Sequence, residues 1–341
     1  MKKWWVFALC LVPLFGWADE KKVLHLYNWA DYMKPELIQA FEEQFNCRIM
    51  QDYFDSNEAM YAKLKAGATG YDVIFPSSYM VNVMKEQGML MPLDHDKIPN
   101  LRFIDPAYLK FTMDPVMDYG VPYMVGSTGI GYDGSRVEDF EPSWKMFNNE
   151  AYAGRMTLLN DMREAIGAAL KLLGYSINST DEAELAQARD VVIGWKRNIA
   201  KFESEQYKNG LVSAEFLLVQ GYSGDILQAM DENEDVVYAI PREGTSLASD
   251  DMVIPVDARE PDLAHAFINF LHEPQNAADN TGYVYYLCPN KASYDLLAEE
   301  IRNDPSIFLD PAVVEKCEVI LDLGEENAKY IKVWDEIRAA E

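Results

Sequence analysis

Acidic and aromatic side chains meet at a few points in this sequence, and together they suit the holding of a cation. Trp29, Asp31 and Tyr32 fall within Asn28-Trp29-Ala30-Asp31-Tyr32, and Tyr79 follows Ser77-Ser78. Carboxylates offset a positive charge that is costly to bury alone, and each aromatic face adds ~0.5–2 kcal/mol of cation–π attraction. Asp161 and Glu164 form a second candidate set, two carboxylates three residues apart ahead of an apolar run. That spacing also fits a glycosidase acid pair or a helix-capping pair whose oxygens are taken by backbone N–H groups. Taken alone, the spacing favours the cap. No nucleophile–base signature, phosphate loop or HExxH helix accompanies the pair, so the enzyme reading lacks its other parts.

Such residues need elements to place them. Val23 to Tyr27 reads as a strand, and Pro35 to Phe45 as a helix with Leu37, Ile38, Phe41 and Phe45 on one face. Pro35 suits a first helical turn. Arg48 to Phe54 is a second strand, Asn57 can cap a helix carrying Met60, Tyr61 and Leu64, and Tyr71 to Phe75 is a short apolar run ending at Pro76. Strand–helix–strand–helix–strand with short connections predicts an α/β fold with a parallel sheet. Ligands of such sheets collect beyond the carboxyl ends of the strands, which here carry Trp29, Asp31, Tyr32 and Tyr79. Further on, a glycine-studded strand spans Val121 to Tyr132, and a second α/β pattern runs from about Met156 to Pro241. Met252 to Pro255 reads as a strand and Asp262 to His272 as a helix. The segment from about Ser293 reads as mostly helical, and Asp231 to Asp235 as a solvated loop.

Composition narrows the partners. The 341 residues suggest two globular domains, and 49% hydrophobic content excludes a disordered chain. A net charge of −26, from 56 acidic and 30 basic residues, argues against nucleic acid and anionic membranes. It permits a cationic partner. Met1-Lys2-Lys3, the apolar run Trp4 to Gly16 and the small residues Gly16 and Ala18 form a secretory signal pattern, so residues 1–18 are expected to be removed. The mature chain then starts at Asp19 and carries a charge of −28. Cys10 lacks a lipoprotein context. Three cysteines remain, Cys47, Cys288 and Cys317; their spacing matches no zinc motif, and buried thiols are favoured over a Cys288–Cys317 bridge.

At this point a specific resemblance emerges. Tyr27 to Tyr32, Ser56-Asn57-Glu58-Ala59-Met60-Tyr61-Ala62-Lys63-Leu64 and Gly70-Tyr71-Asp72-Val73-Ile74-Phe75-Pro76-Ser77 resemble the periplasmic spermidine/putrescine-binding proteins of ABC-type polyamine importers. Asp161-Met162-Arg163-Glu164 and Phe267-Ile268-Asn269-Phe270-Leu271 continue it downstream. The resemblance implies a two-lobed periplasmic-binding-protein fold of type II, each lobe a parallel-rich sheet flanked by helices, with the ligand in the interlobe cleft. The lobes would be 19–125 plus 249–294 and 130–243 plus 298–341.

By this resemblance Trp29, Asp31, Tyr32 and Tyr79 match first-lobe ligand contacts, and Asp161 and Glu164 match the carboxylates that hold ammonium groups. Tyr222 and Asp225 fall where the family has an aromatic and, in putrescine binders, an aspartate; Asp225 as an ordinary N-cap is the competing view. Asp250 aligns with an ammonium-binding aspartate, Asp251 taking that role after a one-residue slip, and Tyr286 matches a cleft tyrosine. Four positions depart from the family pattern. Ala248 stands for a usual Trp or Phe, Tyr222 for Trp, Ala30 for Ser or Thr, and Ile320 lies near a glutamine of spermidine binders. The implied protein is a monomeric, cofactor-free, periplasmic polyamine-binding protein partnered by an ABC-transporter permease. Two other readings stand beside it: a ferric-ion carrier using the adjacent Tyr285 and Tyr286, and a polyamine sensor.

Overall fold

The computed structural model describes residues 21–340; the expected signal peptide, 1–18, lies outside them. The chain opens with β1 (Lys22–Trp29), α1 (Pro35–Phe45), β2 (Cys47–Phe54), α2 (Asn57–Lys65), β3 (Val73–Ile74) and α3 (Ser78–Glu86). β1 runs parallel to both β2 and β3, as the alternation of strand and helix predicts. Pro35 occupies the first turn of α1, Leu37 and Phe41 face the core, and Asn46 ends the helix in a left-handed conformation. The cap of α2 is Ser56, whose side chain accepts from Ala59 N, and not Asn57. Asn57 is the first helical residue, buried and bonded to Ser77.

The 14-residue strand β4 (Gly120–Asp133) then links two halves of the molecule. Up to Ser127 it pairs with β9 (defined below), and from Thr128 with two strands of the second half. That half contains β5 (Met156–Leu158), α4 (Met162–Leu172), α5 (Glu182–Lys196), β6 (Ile199–Phe202), α6 (Tyr207–Val212), β7 (Leu218–Tyr222), α7 (Ser223–Glu232) and β8 (Val236–Ala239). β5 is parallel to β6 and β7, while β7 and β8 flank β4 antiparallel. Asp231 and Glu232 therefore end α7, and only the last part of the expected 231–235 loop is irregular.

The chain returns to the first half through β9 (Ser246–Val253), followed by α8 (Pro261–Leu271) and α9 (Pro274–Val284). The strand expected over 252–255 thus starts six residues earlier and stops at Val253. Its start is held by backbone pairing, Leu247 to Asp251 with β4 and Ser246 with Glu318, and not by a continuous apolar run. Beyond 293 the segment is mostly short turns: α10 (Glu299–Arg302), α11 (Pro311–Val314) and β10 (Glu318–Val319) precede α12 (Asn327–Ala339). Long helix appears only where Tyr330, Val333 and Ile337 pack on the second-half core.

Each half has its own core. Leu24, Leu26, Phe41, Phe75 and Phe267 anchor the first; Trp144, Leu158, Ile166, Trp195 and Leu218 anchor the second. A third cluster holds Tyr27, Phe54, Met60 and Val253 together with Ile177 and Ile320. All three described cysteines are free. The Cys288–Cys317 bridge is not formed: Cys288 is buried facing His272, and Cys317 donates to Val313 O. Among the described residues no helix is long and apolar enough to cross a membrane.

Candidate functional site

A cavity of about 440 Å³ lies where the strands of both halves end, and all ten residues singled out from the sequence line it. The first-half wall begins at the carboxyl end of β1. Trp29 is fixed there by its indole N–H to Phe75 O (2.8 Å) and by a tilted contact with Phe54, ring centroids 4.4 Å apart. Asp31 takes a left-handed backbone, φ 50°. Tyr32 is buried, edge-on to Tyr123 and Tyr286, and its hydroxyl donates to Asp250 Oδ2 at 2.7 Å. Ser77 donates to the other oxygen of Asp250 at 2.6 Å. Tyr79, in the first turn of α3, donates to Glu58 at 3.1 Å.

Asp250 and not Asp251 faces the cavity. Successive strand residues point to opposite faces, and Asp251 is buried on the other side against Thr112 and Ser249. Burial raises the Asp250 carboxyl to about 6 against the two hydroxyl bonds that support its charge.

The second-half wall centres on the start of α4. Asp161 is its N-cap: Oδ1 accepts from Arg163 N (2.8 Å) and Glu164 N (3.1 Å). The capping reading therefore holds for one oxygen of Asp161. It fails for Glu164, whose Oε2 instead accepts from Ser246 at 2.6 Å, on the start of β9. Both carboxyls are raised, chiefly by burial, and the Asp161 charge adds to the rise at Glu164. The intervening Arg163 guanidinium turns away, to Leu321 O, Asn178 and the face of Tyr330.

Asp225 is not an N-cap. Tyr222 holds the cap position of α7, and Asp225 accepts from Tyr207 (2.5 Å) and Tyr286 (3.0 Å), burial raising its carboxyl. Tyr286 is positioned by two glycines. A Cβ at Gly126 would lie 2.7 Å from its ring, and one at Gly224 2.1 Å from the ring and 2.6 Å from Val284 O. Gly224→Ala is therefore expected to displace Tyr286, lowering ligand affinity about tenfold or more and the melting temperature by several degrees. Calorimetry with a thermal melt checks this; wild-type values for both would show the ring free to move.

Several residues in or behind the cavity wall escaped the sequence reading. Ser77 and Asn57 support Asp250, Ser246 supports Glu164, and Glu58 supports Tyr79. Lys208, in α6, reaches across to Asp31 at 3.1 Å. The family-type departures Ala30, Ala248 and Ile320 all line the cavity, so the missing hydroxyl and aromatic wall are losses at the site itself. The ferric reading is not supported: Tyr286 enters the cavity, while Tyr285 caps α9 in a left-handed conformation and faces Asp231.

The arrangement is a largely enclosed acidic pocket with aromatic walls, suited to stabilising positive charge. A family model described as bacterial extracellular solute-binding protein matches residues 36–308. The putrescine/cadaverine-binding protein of Pseudomonas aeruginosa is 33% identical, over 94% of this chain and 95% of that protein. The spermidine/putrescine-binding periplasmic protein of Escherichia coli is 32% identical over 99% of both. Among solved structures, one from Listeria monocytogenes assigned to a spermidine/putrescine ABC transporter superposes at TM-score 0.90, with 35% identity over 94% of this chain and 100% of that one. The substrate-binding protein of a Streptococcus pneumoniae spermidine/putrescine ABC transporter gives 0.79, with 34% identity over 93% and 99%.

Proposed function

The chain belongs to the bacterial extracellular solute-binding protein family, and from that premise we propose that its cleft captures a polyamine of the putrescine/spermidine class for import by an ABC transporter. It is a binding protein and not an enzyme. One observation carries the ligand class: Asp161 and Glu164 are buried and Asp225 and Asp250 half-buried around one cavity, between Trp29, Tyr32, Tyr79, Tyr222 and Tyr286. Four carboxylates removed in whole or part from solvent call for a cation, and a flexible one with methylene spacers matches the aromatic walls.

The geometry supports a division of roles. Asp250 on the first half and Asp161 with Glu164 on the second hold the ammonium groups. Trp29, Tyr32, Tyr79 and Tyr222 line the spacer, and Tyr286 braces Asp225. The moving bodies would be 19–125 plus 249–294 and 130–243 plus 298–341, hinged where β4 and β9 cross between them. Closure then brings Ile177 and Ile320 onto the first-half cluster that contains Phe54 and Met60. The protein would work in the periplasm as a monomer without a cofactor, handing its ligand to a membrane permease.

A thermal-shift screen of putrescine, cadaverine, spermidine, spermine and agmatine tests the ligand class. At about 100-fold excess over Kd a ligand adds about 2.7 kcal/mol, so a rise of several degrees is expected for at least one of them, and none for a simple monoamine. No response to any of the five would overturn the polyamine assignment.

A further inference from the structure

We infer that Lys208 sets how many ligand charges the cleft accepts: its ammonium stands in for a ligand amino group at one end of the cavity and restricts the site to diamines. The inference rests on the polyamine reading and narrows its substrate class.

Lys208 follows Tyr207 in α6, and Tyr207 is fixed by its hydroxyl bond to Asp225. The lysine is thereby carried to the same end of the cavity. Its Nζ lies 3.1 Å from Asp31 Oδ2, across the cleft, and 3.1 Å from Gln228 Oε1. The Lys208 side chain is only 12% exposed against 72% for Asp31, so the positive charge sits in the cavity wall and not in solvent. It also faces Asp225 and favours the ionised form of that carboxyl.

At this end, then, both Asp31 and Asp225 already have partners from the chain, and the cavity-lining Glu205 beside Lys208 is exposed. Asp31 has Lys208, and Asp225 has two tyrosine hydroxyls and the nearby lysine charge. Elsewhere the acids form no ion pair, although the Arg163 charge favours the ionised forms of Asp161 and Glu164. Asp250 receives only hydroxyl bonds, and Asp161 and Glu164 receive backbone and hydroxyl bonds while the Arg163 guanidinium is engaged elsewhere. Two charge stations remain, one on each half, and a diamine carries two ammonium groups. A cavity of about 440 Å³ has room for a longer amine. Discrimination must therefore come from charge: a third ammonium at the Lys208 end would meet a like charge, and Glu205 there is exposed, where an ion pair adds little.

Calorimetry with putrescine, cadaverine and spermidine, on the wild type, Lys208→Gln and Lys208→Arg, decides the matter. The wild type should bind a diamine about tenfold or more tighter than spermidine. Lys208→Gln should bring that ratio toward unity through a gain of about tenfold in spermidine affinity, and Lys208→Arg should keep the preference. Equal wild-type affinities for diamine and triamine would overturn the inference and leave the polyamine reading intact. So would an unchanged ratio in a Lys208→Gln protein that still binds putrescine. A wild type that binds no amine would overturn both.

Discussion

Asp250→Asn and Asp161→Asn should each cut ligand affinity by about 30-fold to a few thousand-fold, while Glu234→Gln leaves it unchanged. The range is the 2–5 kcal/mol typical of truncating one partner of a buried charge pair. Asparagine keeps the shape at both positions. At 161 its oxygen still caps α4, since Asn is as good an N-cap as Asp and only Oδ1 is used for the cap. At 250 its oxygen still accepts from Ser77 or Tyr32, whose hydroxyls can rotate. Burial disfavours the charged Asp250, so the ligand-free variant should be as stable as the wild type or more so. Lost affinity with an unlowered melting temperature is therefore the signature of an ammonium-holding carboxylate. Glu234 is exposed beyond α7 and serves as the control. Wild-type affinity in both cleft variants would remove these residues from the site.

How far the sequence exposed this site depended on whether a feature was local. Trp29, Asp31, Tyr32 and Tyr79 follow strands whose periodicity is plain, and strand ends are where α/β ligands lie. Asp225, Asp250 and Tyr286 had no local signal and came from family resemblance. β9 was half hidden because Ser246, Ser249, Asp250 and Asp251 are polar, as suits a strand that passes between two halves, lends Asp250 to the cavity and bonds Glu164 through Ser246. Asn57 looked like a cap because Asn often is one; Ser56 took that task and freed Asn57 to brace Ser77. Lys208 was beyond reach, since its partner Asp31 is 177 residues away and the pair exists only when the halves meet.

Ligand uptake should be coupled to proton release, with affinity falling as the pH drops through about 6. Asp250 is raised to about 6, chiefly by burial, and Asp161 and Glu164 are raised for the same first reason. A ligand ammonium resembles that of lysine, with a pKa of ~10.4, and keeps its proton throughout this range. It favours ionised carboxyls, so any proton held by these acids is expelled on binding. Asp250 alone would lower affinity about tenfold at pH 5 relative to its fully ionised state. Asp161 and Glu164 would deepen the fall. The sign for stability is opposite in the ligand-free protein. A carboxyl raised above its ordinary ~3.9 favours the folded state at low pH, and that contribution is lost as pH rises from about 4 through about 6. A bound cation restores it, so the ligand-induced rise in melting temperature should be larger at pH 8 than at pH 5. Calorimetry at neutral pH in buffers of different ionisation enthalpy measures the protons directly. Proton uptake, or an affinity constant from pH 5 to 8, would mean that these carboxylates do not hold the ligand's charge.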